Sequence, residues 1–204
     1  IAIADAHGRS LASPVEAQVR APPCDSSAMD GYAVRDADLA RLPARLEVVG
    51  QSFPGNGFDG TIEGGGCVRL FTGAPIPAGA DRVVIQEMVR REGDIATFIE
   101  APGAARHIRW RGSDFELGER LLEVGRRLDP RALVAAAGAD VAQVDVWRRP
   151  GLIVIATGDE LADPGQAREI EGAIPESVSL GVTALAEAWG AEPIGRRRLR
   201  DDLP

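Results

Sequence analysis

The sequence predicts an α+β, multi-domain chain: a β-rich, barrel-like inserted module joined to an incomplete doubly wound α/β domain. Three observations predict it. From Ala21 to about Glu100, short β-rich runs (Leu46 to Val49, Val68 to Phe71, Arg82 to Val89, Ile95 to Ile99) alternate with Gly, Pro, Asn and Asp turns. Gly151 to Ala156 reads Gly-Leu-Ile-Val-Ile-Ala, a continuous apolar run that predicts a strand buried on both faces of a parallel sheet. Beyond it a helix is predicted over Val178 to Trp189 and a second strand over Pro193 to Leu199. The sequence stops at Pro204, before the further βα units that a doubly wound domain needs.

Taken in order, the first twenty residues carry helix-like apolar spacing at Ala4, Ala6 and Leu11, then an extended piece from Val15 to Val19. Ala21 to Arg35 gathers small, turn-forming and acidic residues around Tyr32, the only tyrosine. There Pro22-Pro23 predicts an extended entry, Asp30-Gly31 a tight turn, and Tyr32-Ala33-Val34 the start of a strand. Gly64-Gly65-Gly66 lacks the Lys-Ser/Thr of a P-loop and reads as a turn. Near Gly112 the pattern changes again. Leu117 to Leu128 predicts strand–turn–strand around Glu123 to Gly125. Asp129-Pro130 supplies an N-cap followed by Pro at the first helical position, and Gly138 stops the Ala-rich helix that follows. Gln143 to Trp147 is a further predicted strand, closed by Arg149-Pro150. The expected domains are 1–20 with 115–149 as one discontinuous linker or dimerisation domain, 21–114 as the insertion, and 150–204 as the start of the α/β domain.

Composition narrows the function. The 204 residues are 45% hydrophobic and 26% charged, ordinary for a globular protein. No stretch approaches the roughly 20 apolar residues of a membrane span, and the N-terminus lacks a signal-peptide layout, which together predict a cytoplasmic protein with no membrane partner. Cys24 and Cys67 have no metal-ligand spacing and read as two reduced thiols. Net charge is −8, and every basic residue is Arg. That acidic balance argues against nucleic acid as a partner. Arg196-Arg197-Arg198 and Arg200 run straight into Asp201-Asp202 and read as a solvated or locally paired surface.

The candidate site residues are carboxylates, a threonine and an arginine pair. Asp30 lies on a predicted turn and Asp114 follows an Arg-rich strand. Asp159 and Glu160 sit at the carboxyl end of the Gly151 to Ala156 strand, where open α/β sheets bind ligands. Each also has a purely structural reading, as turn former, loop acid or helix cap. Alternation along a strand would place Arg109 and Arg111 on one face, as phosphate contacts, with Trp110 on the other. Thr72, ahead of a Gly-Ala-Pro-Ile-Pro turn, offers a hydroxyl and an N–H to an oxyanion, or is an ordinary turn residue. No Ser–His–Asp or Cys–His arrangement is apparent, so His7 and His107 read as structural. Hard oxygen donors of this kind suit Mg²⁺.

Four stretches in fixed order carry a resemblance: Ser27-Ala-Met-Asp-Gly-Tyr-Ala33, Leu70-Phe-Thr-Gly-Ala-Pro-Ile-Pro-Ala-Gly-Ala-Asp81, His107-Ile-Arg-Trp-Arg-Gly-Ser-Asp114 and Ile155-Ala-Thr-Gly-Asp-Glu-Leu161. Together they resemble the N-terminal part of the molybdopterin molybdenumtransferases, the MoeA or gephyrin E-domain family. The resemblance implies that the α/β domain is molybdopterin-binding-like. It implies molybdenum cofactor biosynthesis, in which molybdate is inserted into adenylylated molybdopterin with release of AMP. Asp30, Asp114 and Glu160 would be catalytic; Thr72, Arg109, Asp159 and Asp201 would bind substrate; and Asp30, Glu160 and Asp201 would hold Mg²⁺. It further implies a homodimer, with the cleft between the β module of one subunit and the α/β domain of the other, and other proteins of cofactor synthesis as partners. Relatives continue into an Ile-x-Asp/Asn-Ser-Asn segment where this sequence has Ile174-Pro-Glu-Ser-Val178, and into a Gly-Gly-Val-Ser-Val-Gly loop and a β domain beyond Pro204. The expectation is therefore a truncated or partial form, inactive alone. The alternative is a non-catalytic molybdopterin-binding or scaffolding paralogue, marked by Val178.

Overall fold

The computed structural model describes residues 1–201 and divides them into two compact units. One unit contains Val15–Leu121 with Ala135–Val141; the other contains Ile1–Pro14, Leu122–Val134 and the chain from Ala142 onward.

The first unit is built on strands. Its short leading pieces are β1 (Val15–Glu16) and β2 (Ser26–Ser27), and its main strands are β3 (Gly31–Val34), β4 (Ala44–Ser52), β5 (Gly66–Leu70), β6 (Arg82–Ile85), β7 (Val89–Glu92) and β8 (Ile95–Phe98). Then come β9 (Ile108–Arg109) and β10 (Arg120–Leu122). Strands β6-β3-β5-β4-β8-β7, in that order, make one six-stranded curled sheet, a half-barrel, antiparallel except between β4 and β5. The expected β-rich module is therefore present. The break in the predicted Arg82 to Val89 strand is a 3-10 turn at Gln86–Met88, which ends β6 and starts β7.

Successive strand residues point to opposite faces, and both faces of this sheet are covered. Tyr32, Val34, Cys67, Val84, Ala96 and Phe98 belong to one cluster. Their neighbours Ala33, Val68 and Val83 belong to another, with Ile62, Leu70 and Ala74. That is why β3 is buried at all four positions rather than at alternate ones. Burial pushes the Cys67 thiol up to about 12, so it packs as an inert small hydrophobe. Gly64-Gly65-Gly66 does form a turn, with Gly65 at φ +84°, leading into β5.

The rest of the chain differs from expectation at several places. The apolar spacing of the first residues yields a single 3-10 turn at Ile3–Asp5, not a longer helix. Bridges from Ala2 to Gln143 and from Leu11 to Val146 anchor this segment near its two ends, with Ala6 and Leu11 fully buried. The predicted strand over Gln143 to Trp147 is reduced to those same bridges. Helix α1 (Pro130–Gly138) starts where predicted, with Asp129 Oδ1 accepting from the Ala132 N–H at 2.8 Å. Gly138 is its last residue, and the left-handed turn falls on Asp140 at φ +62°. Strand β11 (Gly151–Thr157), β12 (Leu161–Ala162), β13 (Ile174–Pro175), helix α2 (Val178–Ala188) and β14 (Glu192–Leu199) complete the described chain. Strands β11 and β14 pair in parallel around α2, a single β–α–β crossover, and no doubly wound sheet is formed among the described residues. For the same reason β11 is not buried on both faces: one strand and one helix cannot cover it, and Ile153 and Ile155 are about half exposed. No helix among the described residues is long and apolar enough to cross a membrane.

Candidate functional site

The Asp30 turn is the most elaborated feature of the first unit. Ser26 and Ser27 are buried, and β2 runs between two neighbours. On one side it pairs with β9; on the other the Ser27 N–H donates to Ala74 O and the Gly73 N–H to Ser27 O, both at 2.8 Å. Only small side chains fit so narrow a path, and the Ser27 hydroxyl is used locally, donating to Met29 O at 2.6 Å. The chain then turns into β3 at Gly31, where a Cβ would lie 2.1 Å from the Val84 carbonyl oxygen. No other residue fits there without moving β6.

This path carries Asp30 to Thr72, which stands 42 positions further along. Both Thr72 donors converge on one carboxylate oxygen: the N–H reaches Asp30 Oδ1 at 2.7 Å and the hydroxyl at 2.8 Å. These bonds favour the charged form, so the Thr72 N–H first, its hydroxyl second and Arg69 third hold the Asp30 carboxyl below its ordinary range. Oδ2 has no hydrogen bond among the described residues. Thr72 is a turn residue, and in this structure the hydroxyl and N–H expected to face a bound oxyanion are both engaged by Asp30.

Arg69 is the residue that sequence reasoning missed. Its guanidinium donates to Gly31 O at 2.9 Å and to Gln86 Oε1 at 2.5 Å, while the Gln86 N–H donates to Asp30 O at 3.0 Å. It also lies over the rings of Tyr32, at 5.2 Å, and Phe71, at 4.9 Å. Phe71 stacks on Phe53 in turn, with centroids 4.6 Å apart. Its one sequence signal was a charge at the end of an otherwise apolar strand, immediately before Leu70-Phe71-Thr72.

Arg109 and Asp114 meet on the same side of β2 as β9. Arg109 Nη2 donates to Asp114 Oδ2 at 2.5 Å, and both side chains are about half exposed. An ion pair this exposed adds little stability; what it does is orient the guanidinium. Arg109 and Arg111 do not share a strand face, because β9 ends at Arg109 and Arg111 lies in a turn with Gly112 at φ +70°. The Arg111 N–H donates to Asp25 Oδ1 at 2.8 Å, a contact from a carboxylate that the motif reading had passed over.

The remaining expected site residues lie in the other unit. Asp159 and Glu160 form an exposed turn directly after β11, where Gly158 takes φ +144°. A Cβ on Gly158 would come within 2.8 Å of Glu160 Oε2, so the glycine leaves room for that carboxylate. Thr157 is in register with Leu199 of the parallel strand β14, and Asp201 follows two residues later, exposed. Asp159, Glu160 and Asp201 therefore share the carboxyl edge of one parallel strand pair. The structure brings together Asp30 with Thr72 and Arg109 with Asp114, and groups these three at one edge. Among the described residues no three His, Cys, Asp or Glu side chains cluster as a ready-made metal site. The donors themselves, exposed carboxylate oxygens, are of the type that takes Mg²⁺ through one or two carboxylates with water and phosphate completing the shell.

Residues 1–139 match the family model described as MoeA N-terminal region (domain I and II). A molybdopterin molybdenumtransferase of Nostoc is 37% identical over 193 residues, covering 93% of this chain and 44% of the relative. That of Haemophilus influenzae is 37% identical over 199 residues, 97% of this chain and 49% of the relative. The crystal structure of a molybdopterin biosynthesis moeA protein from Pyrococcus horikoshii superposes with a TM-score of 0.90 at 32% identity, covering 99% of this chain and 55% of that one. The chain spans about half the length of the curated relatives it matches.

Proposed function

This chain belongs to the MoeA family, and from that premise we propose that it forms part of a molybdopterin molybdenumtransferase of molybdenum cofactor biosynthesis. The reaction is insertion of molybdate into adenylylated molybdopterin, with hydrolytic release of AMP. Asp30, Asp114 and Glu160 are its catalytic carboxylates, Arg109, Asp159 and Asp201 bind the substrate, and Thr72, expected to bind it too, acts through Asp30, which it orients. The pairing of Asp30 with Thr72 carries this reading: two separate motifs spend two donors on one oxygen of a carboxylate, which keeps it ionised and leaves the other oxygen for a ligand.

Both reactants are anionic, and carboxylates alone would repel them. Mg²⁺ held by Asp30, Glu160 and Asp201 would offset that repulsion and polarise the phosphoanhydride. In the homodimer these acids come from different subunits. Arg109 presents further N–H donors beyond the one given to Asp114, enough to hold a phosphate while Asp114 fixes the plane of the fork. Asp159, beside Glu160 at the carboxyl edge of β11, contacts the bound substrate from the other group.

Calorimetric titration of adenylylated molybdopterin into the chain, with and without Mg²⁺, tests the proposal. Binding that needs the metal and is weakened by Asp30→Asn is the expected result. Absence of binding even by the complete protein would favour the scaffolding alternative.

A further inference from the structure

A further pocket lies within the unit that begins at Ile1, and none of the carboxylates above lines it. Arg9, Trp147, Arg148, Arg149 and Trp189 line a pocket of about 300 Å³, and none of its lining residues is acidic. The Trp147 N–H donates to Ser10 O at 2.9 Å and Arg9 Nη2 donates to Trp147 O at 2.8 Å, so two distant stretches of chain are tied together at its floor.

Two properties set this pocket apart. Trp147 is 59% and Trp189 74% exposed, although tryptophan is among the most buried residues on average. Arg9, Arg148 and Arg149 have no carboxylate partner among the described residues, in a chain with 31 acidic residues to 23 basic ones. Exposed Trp and unpaired Arg are the residue types that dominate binding energy at protein interfaces.

We propose that this pocket docks an acidic segment of a partner protein, its carboxylates on Arg148 and Arg149 and one aromatic side chain against Trp147 and Trp189. Charge complementarity selects the acid. Shape selects a peptide over a small molecule: small ligands are enclosed over most of their surface, whereas Trp189 offers an open face. The site uses none of the proposed catalytic residues, so it stands or falls separately from the reaction.

The test is a tryptophan fluorescence titration of the 204-residue chain carrying Trp110→Phe, which leaves Trp147 and Trp189 as reporters. The probe is the blocked peptide Asp-Glu-Asp-Phe-Glu-Asp. Saturable binding with a Kd below about 1 mM is expected. It should weaken about tenfold or more in the Arg148→Gln/Arg149→Gln double variant and in high salt, with circular dichroism unchanged. A Trp189→Ala variant should lose affinity for this peptide but not for one in which Ala replaces the Phe. The proposal is overturned by no saturation at about 2 mM peptide, or by an equal response to the Asn/Gln isostere. Self-association of the chain that the double variant abolishes would also overturn it, by making a second copy the occupant.

Discussion

Asp30 shows how much of a site a single residue can owe to its surroundings. Its carboxylate is held by Thr72 through two bonds to Oδ1, and its own carbonyl is held by Gln86, which Arg69 holds in turn. Replacing it by Asn keeps the shape and an acceptor for Thr72 but removes the charge. Under the proposed function, Asp30→Asn should lower kcat about a hundredfold or more, the scale of a lost acid–base or metal-holding group. Molybdate-dependent AMP release measures this, and a near-normal rate would remove Asp30 from the catalytic set. Asp30 and Thr72 were each legible as motif residues. Their bond was not, because no local rule relates positions 42 apart. Arg69 was not legible at all: its task is set by two rings and a glutamine that only the folded sheet assembles.

At the scale of elements, the two helices start on different principles. Asp129-Pro130 is a start signal that can be read directly, and Asp129 does cap α1. At α2 the residue before the first turn is Ser177, and its side chain makes no capping bond. Glu176 acts instead, accepting from the Ser179 N–H at 2.8 Å and from the Ser179 hydroxyl. The Ser179 hydroxyl first and its N–H second hold the Glu176 carboxyl below its ordinary value of 4.5. The sign follows from linkage. A carboxyl whose pKa is lowered by folding contributes its stability fully above 4.5 and loses it as pH falls through the lowered folded-state value. Acidification should therefore loosen the first turn of α2, seen as faster amide exchange at Ser179 relative to the middle of the helix. In Glu176→Gln that acid-dependent step should vanish; if it persists, another group governs the helix start.

For the molecule as a whole, stability in the β unit rests on the sheet's two covered faces. Phe98 is almost wholly buried and meets Tyr32 edge to face, with centroids 6.2 Å apart. Phe98→Ala should cost about 3–5 kcal/mol, read as a lower urea midpoint. A loss well under 1 kcal/mol would mean the cluster collapses to refill the cavity. The order of elements in both units was largely legible, because runs of β-formers between Gly, Pro and Asp turns leave few alternatives, as do the caps of α1 and the strand–helix–strand pattern from Gly151 onward. Where the reading failed, it failed on environment: Ala4, Ala6 and Leu11 look helical, but Ala2 and Leu11 bridge to Gln143 and Val146, Ala6 and Leu11 are buried and Ala4 is exposed in a 3-10 turn, and the apolar run of β11 looks doubly covered but meets one strand and one helix. By itself, then, the sequence determined which residue types stand where along the chain, and with them the strands, turns and motifs of the family. Only the tertiary structure decided which of those residues touch, since contacts between distant positions depend on sheet order and burial, which no short window of residues contains.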